Sequence, residues 1–303
     1  MQTILGANGV IGRELSKNLT AYTRQIRQVS RKPEKVNPDD ELFIADLLSE
    51  SDTARAVKGS EVAYLVVGLP YQTEVWQRSW PVIMRNVINA CKKHQTKLVF
   101  FDNVYAYGYV SGRMTEETPF NPNSKKGEVR AQIATQLLNE MKAGNLQAQI
   151  VRAADFYGPG ALLSVTHQSV TCRLKENKTP QWIGNPACLH SFTYTPDAGA
   201  TTARLGNTPE AYQQTWHALT SAEPLTGEQY VRIASEIMGR PFKIQAVQGL
   251  GVTLLSLFIP VLREFKEMMY QFERDYIFDS SKFERAFNQK ATAYREGIAA
   301  TLQ

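Results

Sequence analysis

Three glycines spaced three residues apart, Gly6, Gly9 and Gly12, follow the first apolar run of the chain and open its first helical pattern. Gly6 permits a sharp turn off a strand. Gly9 offers bare backbone where a Cβ would collide with an approaching diphosphate. Gly12 lets the helix pack close to the strand. The segment Gly6-Ala7-Asn8-Gly9-Val10-Ile11-Gly12 reads G-x-x-G-x-x-G rather than the commoner G-x-G-x-x-G. A helix start at this point presents free N–H groups and a partial positive charge to phosphates. Glycine-rich turns are common, so the triple gains force from its place at the first strand–helix junction.

The rest of the first half supports that place. Short apolar, β-branched runs at Thr3–Gly6, Ile26–Ser30, Leu42–Ala45, Val62–Val67, Leu98–Asp102 and Ala148–Val151 alternate with helical spacing. Near-continuous apolar runs are expected of strands buried on both faces of a parallel sheet. In 128–141, Val129, Ile133, Leu137, Leu138 and Met141 fall on one helix face. The pattern predicts an α/β fold: a Rossmann-type doubly wound parallel sheet over residues 1–152, with right-handed crossovers. Beyond 153 the rhythm loosens into a smaller α+β substrate domain over 153–303, with segments returning to the Rossmann core. Helices are predicted at Gly227–Met238 and Leu250–Glu273, and short strands near Gln181–Ile183 and Phe242–Ala246.

The second strand ends on Ser30-Arg31-Lys32, where an NAD site usually carries an acid for the ribose 2′-hydroxyl. Two cations and a hydroxyl suit a 2′-phosphate, so NADP(H) is expected over NAD(H). The alternative, two solvated loop cations, stays open. Asp46-Leu47 after the third strand is placed to bond the adenine amino group and cover its ring; Asp46 is equally placed to cap the next helix. Val67-Gly68 lies where the chain passes the cofactor.

Composition narrows the function classes. The net charge is +5 over 303 residues with no block of like charges, which argues against a dedicated nucleic-acid protein. Cys91, Cys172 and Cys188 form no CxxC, and His94, His167, His190 and His217 stand far apart, so no metal site is expected. The apolar run from Leu250 to Leu262 is too short for a membrane span and holds Pro260. No signal peptide is visible. A soluble cytoplasmic protein with a small-molecule substrate, and neither nucleic-acid nor membrane partner, is the expectation.

At this point the residues resemble the short-chain dehydrogenase/reductase superfamily, in its extended NAD-dependent epimerase/dehydratase branch. The resemblance rests on the glycine loop, Asp46-Leu47, Ala106-Tyr107-Gly108 and Thr115-Glu116-Glu117-Thr118-Pro119 with Asn121-Pro122. It extends through Arg152-Ala153-Ala154-Asp155-Phe156-Tyr157-Gly158-Pro159-Gly160, His190-Ser191-Phe192-Thr193-Tyr194-Thr195-Pro196-Asp197 and Asp279 to Lys282. It implies cofactor contacts by Phe156 and by the residue at position 126, and homodimer pairing through the helices at 81–93 and 126–141. It also implies a Ser or Thr after the fifth strand and a Tyr-x-x-x-Lys on the next helix. Those positions hold Asn103, Lys126 and Arg130, so the chain resembles an atypical member.

Arg130 lies four residues after Lys126, on the same helix face. It can reach ribose hydroxyls but shuttles no proton. By like-charge repulsion it would favour a neutral Lys126, able to act as general acid/base or Schiff-base amine. Asn103 can donate its amide to a substrate oxygen. The bland alternative is a solvated Lys126 at a helix start. Tyr105 is a candidate substitute proton donor if Lys126 stands beside it; otherwise Tyr105, Tyr107 and Tyr109 simply line a wall. Trp76 and Trp80 read as core before pocket, and the greasy 252–269 stretch as a buried helix before a substrate lid. The expected function is an NADP(H)-binding atypical oxidoreductase or epimerase/dehydratase-like enzyme acting on a small carbonyl, alcohol or sugar-like substrate. The alternative is a non-catalytic NADP(H) sensor.

Overall fold

The computed structural model describes residues 1–248 and 260–303. Its centre is a seven-stranded sheet: β1 (Gln2–Leu5), β2 (Ile26–Ser30), β3 (Glu41–Ile44), β4 (Val62–Leu65), β5 (Lys97–Asn103), β6 (Ala148–Ala153) and β7 (Thr215–His217). The order across the sheet is β7-β6-β5-β4-β1-β2-β3, and every neighbouring pair is parallel. The strands β1, β4 and β6 are buried along their whole length because helices cover both faces. That is the doubly wound α/β architecture the alternation predicts.

One face carries α2 (Glu50–Val57), α3 (Thr73–His94) and α4 (Lys125–Lys142), packed through Val57, Met84, Val87, Phe100, Ile133 and Leu137. The other carries α1 (Val10–Leu19) and the helix Thr195–Gly206, packed through Ile4, Leu15, Tyr64, Ala198 and Ala203. These last two helices touch backbone to backbone: a Cβ on Gly199 would lie 2.6 Å from the Glu14 carbonyl carbon.

Beyond β6 the chain forms small ladders, Asp155–Tyr157 with Phe192–Tyr194 and Gln181–Ile183 with Gln245–Val247. They enclose a separate core of Tyr157, Trp182, Phe192, Tyr230 and Tyr294. The sequence pattern misses β7, which is only three residues long and set in a mixed stretch. Of the 250–273 helix, residues 250–259 fall outside the described ones. The remainder is a helix over Pro260–Phe265 and a 3₁₀ turn over Lys266–Gln271.

The strand β7 seats His217 in a buried network. The Tyr107 hydroxyl accepts from Arg152 Nη1 at 3.0 Å and lies 2.9 Å from His217 Nε2, while Nδ1 lies 2.7 Å from the Asp279 carbonyl. Tyr107 therefore donates to Nε2, and Nδ1–H donates to the carbonyl: a neutral imidazole. Burial pushes the His217 pKa down to about 3, against the weaker pull of the Asp279 carbonyl. The unfolded value is about 6.5. Between the two the unfolded chain binds the extra proton, so the stabilisation is complete above 6.5 and is lost as pH falls towards 3. Urea unfolding should show a slope of about 1.4 kcal/mol per pH unit between pH 4 and 6 from this residue. The same series on His217→Gln should be flatter; an unchanged slope would assign the acid sensitivity elsewhere.

Candidate functional site

The turn from β1 into α1 is shaped by two glycines that the protein itself requires. Gly6 has φ +96°, and a Cβ there would lie 2.6 Å from the Val67 Cα; a Cβ on Gly12 would lie 2.6 Å from the Ala7 carbonyl oxygen. Gly9 differs. Its φ of −68° suits any residue, and the nearest atom to an added Cβ is 3.6 Å away, the Gly6 carbonyl oxygen. Nothing in the protein forbids a side chain at Gly9, so the clearance there serves something outside the chain. Gly9 is also the N-cap of α1 and offers no side-chain cap, and the first turn holds no acid. The first-turn N–H groups, Val10 and Ile11 among them, thus have no acceptor of their own. This cradle fits a dinucleotide diphosphate.

At the carboxyl end of β2, Asn8 ties the loop to the strand: its Nδ2 donates to the Lys32 carbonyl at 2.7 Å, and the Ser30 hydroxyl accepts from the Lys32 N–H at 3.0 Å. The side chains of Arg31 and Lys32 are exposed. The nearby acid Glu34 is paired with Arg13. Asp46 accepts from the Leu48 N–H, and Ser49 rather than Asp46 caps α2. Leu47 is buried in the core beside Ala45 and Val57. Val67 stands against Gly6, and Phe156 stacks on Phe101 at 6.1 Å. Gly68 has open space where its Cβ would be.

Asn103, Lys126 and Arg130 each have partners inside the protein. Asn103 Oδ1 accepts from the Tyr105 N–H at 3.1 Å, and among the described residues its amide N–H₂ has no acceptor. Arg130 donates through Nε to Asp102 at 2.7 Å and lies 4.3 Å above the Trp80 ring. Trp76 and Trp80 are therefore core residues that box this guanidinium. Lys126 is fully buried, and Nζ reaches Glu264 Oε2 at 2.6 Å, Glu267 Oε1 at 2.9 Å and the Thr73 hydroxyl at 2.8 Å. It is neither the solvated lysine nor an amine faced by an unmatched Arg130. Burial pushes the Glu264 carboxyl up, but the hydrogen bonds from Lys126 and Thr73 outweigh it and hold the group below the ordinary range.

Tyr105 does not rebuild the dyad with Lys126, whose Nζ sits 4.6 Å over the Tyr71 ring instead. Burial pushes the Tyr105 phenol far up, and the neighbouring Tyr71 and Asp155 add to this. Tyr105 is thus a neutral hydrogen-bond donor. The run Tyr105–Tyr107 is a 3₁₀ turn, so the alternating tyrosines part company: Tyr107 is buried and Tyr109 exposed.

Sequence reasoning passed over the acidic side of this site. Asp155 Oδ2 pairs with His190 Nε2 at 3.0 Å, and Glu264 and Glu267 arrive from the C-terminal segment. Asp155 and His190 both lie in stretches the sequence marks, yet no spacing rule joins residues 35 apart. Among the described residues no group of three or more His, Cys, Asp or Glu could hold a metal ion, and no helix is long and apolar enough to cross a membrane.

The model of the NAD dependent epimerase/dehydratase family matches residues 3–215. The chain belongs to this family. Similar solved structures agree in fold. A dTDP-glucose 4,6-dehydratase from Streptomyces venezuelae with NAD bound is 16% identical, with 100% of this chain and 95% of that one covered and a TM-score of 0.81. A UDP-glucuronic acid 4-epimerase from Bacillus cereus in complex with NAD gives 16%, 100%, 96% and 0.81. A Thermus thermophilus UDP-glucose 4-epimerase complex with NAD gives 15%, 100%, 98% and 0.78. No curated protein matches the sequence. Within the family frame, the glycine loop, the end of β2 and the start of α4 fall along one edge of the sheet, the carboxyl ends of its strands, where such folds bind ligands.

Proposed function

We propose that this chain is an NADP(H)-dependent oxidoreductase or epimerase/dehydratase-like enzyme acting on a small carbonyl, alcohol or sugar-like substrate. The observation that carries the cofactor choice is the end of β2. Arg31 and Lys32 are exposed beside the uncapped start of α1, and Glu34 is occupied by Arg13. A 2′-phosphate finds two exposed cations here, and the acid nearest them in sequence, Glu34, is already paired with Arg13. Family neighbours are solved with NAD, which supports a pyridine nucleotide in general. When bound, the nicotinamide accepts or returns a hydride. The chain's own part is to position the substrate: the amide of Asn103 and the neutral phenol of Tyr105 donate hydrogen bonds to a substrate oxygen. Lys126, held by Glu264 and Glu267, fixes the wall of the site, and Arg130 anchors α4 to β5 through Asp102.

The test is calorimetric titration with NADPH and NADH. Arg31→Ala should weaken NADPH about tenfold, the worth of one charge-assisted hydrogen bond, and leave NADH unchanged. Equal losses for both cofactors, or none, would remove the phosphate assignment. A second reading, a non-catalytic NADP(H) sensor, is favoured by one observation: Asn103, Lys126 and Arg130 all engage partners within the fold. Slow hydride exchange with any carbonyl substrate would exclude it.

A further inference from the structure

Two carboxylates from the C-terminal segment sit on the starts of α3 and α4. Glu264 Oε2 accepts from the Thr73 N–H at 2.8 Å and from the Thr73 hydroxyl at 2.7 Å. Thr73 is the first residue of α3, whose N-cap Gln72 makes no side-chain cap. Glu267 Oε2 accepts at 2.8 Å from the N–H of Lys125, the first residue of α4. Each glutamate thus supplies the acceptor and the negative charge that a helix N-terminus favours. Between the two helix starts, both reach Lys126. Its Nζ meets the Thr73 hydroxyl, the Glu264 carbonyl oxygen and one carboxylate oxygen of each glutamate, none farther than 3.0 Å. A lysine has three N–H donors, so these four acceptors leave none for a ribose or substrate oxygen.

The segment that carries the glutamates is held differently at its two ends. The contacts of Glu264 and Glu267 are polar, and their side chains keep 30% and 24% of their surface exposed. Arg263 and Lys266 beside them are exposed. From Met268 on, the chain is set in the core. Met268 and Met269 are buried, Phe272 stacks on the His190 ring at 4.7 Å, and the Phe272 carbonyl accepts from the Asn185 N–H at 2.8 Å. Water can replace the polar contacts of the first end, whereas the second end is fixed by apolar burial.

We propose that residues 263–267 are a strap, clasped over Lys126 by Glu264 and Glu267 and hinged at Met268 and Met269, that holds the site inactive until it opens. Closed, it withholds Lys126 from cofactor and substrate. Open, it exposes the amine together with the first N–H groups of α3 and α4. This deepens the enzyme reading and rests on it for what the freed amine then does.

Reductive methylation of the full chain, read by mass spectrometry, tests the closure. Lys125 is exposed and serves as reference for the enclosed Lys126. In wild type Lys126 should react at least about tenfold more slowly than Lys125, and in Glu264→Gln/Glu267→Gln the gap should shrink to about threefold or less. Equal rates in wild type overturn the proposal, as does a folded double variant whose Lys126 stays as protected as before. Amide exchange on wild type tests the motion and needs no variant. Among the described residues the Thr73 and Lys125 N–H groups have only the glutamates as acceptors. They should exchange through a local opening that urea below the unfolding transition leaves nearly unchanged. Exchange of both only at the rate of global unfolding means a fixed wall and overturns the strap. In NADPH calorimetry the double variant should bind at least about threefold tighter, since a closed strap lowers the competent fraction. Equal or weaker affinity overturns the inhibitory role. Absence of NADPH binding to either protein strikes the enzyme reading instead, while methylation and exchange, read without cofactor, decide the strap separately.

Discussion

Asp102→Ala should lower the free energy of unfolding by about 3–5 kcal/mol, the usual cost of stripping the partner from a buried charge. Asp102 has no exposed side-chain surface, and the two arginines it serves are nearly as enclosed, Arg130 at 4% and Arg152 at 2%. Its Oδ1 takes Arg130, its Oδ2 takes Arg152 at 3.2 Å, and Oδ1 also accepts from the Asn103 N–H at 2.8 Å. Removal leaves the guanidinium of Arg130 on α4 and that of Arg152 on β6 without their shared counter-charge on β5. Among the described residues neither is paired with another carboxylate: Arg130 is boxed by Trp76, Trp80 and Phe100, and Arg152 by Tyr107 and Phe120. Arg152 Nη2 already lacks a partner. Urea unfolding of wild type and variant measures the difference. A loss under about 1 kcal/mol would mean that water or a rearranged side chain compensates the arginines, and that the pairing contributes little. The double variant Asp102→Ala/Arg130→Met should recover part of the loss, since it removes one of the stranded charges.

This network shows where sequence reading stops. Central strands such as Val62–Leu65 were legible because they are buried on both faces and read as apolar runs; Ile26–Ser30, with Arg27 and Gln28 inside it, matches residue for residue through its place in the strand–helix alternation rather than its apolarity. The glycine loop was legible because backbone geometry demands glycine at Gly6 and Gly12, and such demands are local. The start of α4 follows from Ser124, which caps it; that position 126 stands where the family carries a tyrosine comes from the resemblance alone, counted forward from Asn121-Pro122. What Lys126 does was not legible, because its partners Glu264 and Glu267 lie some 140 residues on, and only the folded chain brings them over α4. The same holds for Asp155 and His190, whose side chains meet although they stand 35 residues apart. A rule of helix spacing placed Arg130 beside Lys126 and inferred repulsion between them. The rule gives the face correctly but says nothing of Asp102, a strand residue that balances Arg130 from beneath.

Gly9→Ala separates folding from binding, and here the expected effects are opposite in kind. The backbone at Gly9 is extended, φ −68° and ψ 159°, and an added methyl meets no atom of the protein closer than 3.6 Å. The variant should therefore unfold within about 0.5 kcal/mol of wild type, as substitutions free of clash do. Cofactor affinity should fall by more than about tenfold, because the methyl occupies the approach of the diphosphate to the first-turn N–H groups of α1. Gly6→Ala is the control. Its positive φ and the Val67 Cα 2.6 Å from the new Cβ make it costly to the fold itself, by about 1–3 kcal/mol, so it should lose stability and binding together. Urea unfolding and NADPH calorimetry on both variants decide the matter. If Gly9→Ala binds NADPH as wild type does, the diphosphate does not cross this turn, and the glycine there has no role in holding the cofactor. If Gly9→Ala keeps its stability and loses NADPH, the clearance above α1 is a binding feature that folding alone does not explain.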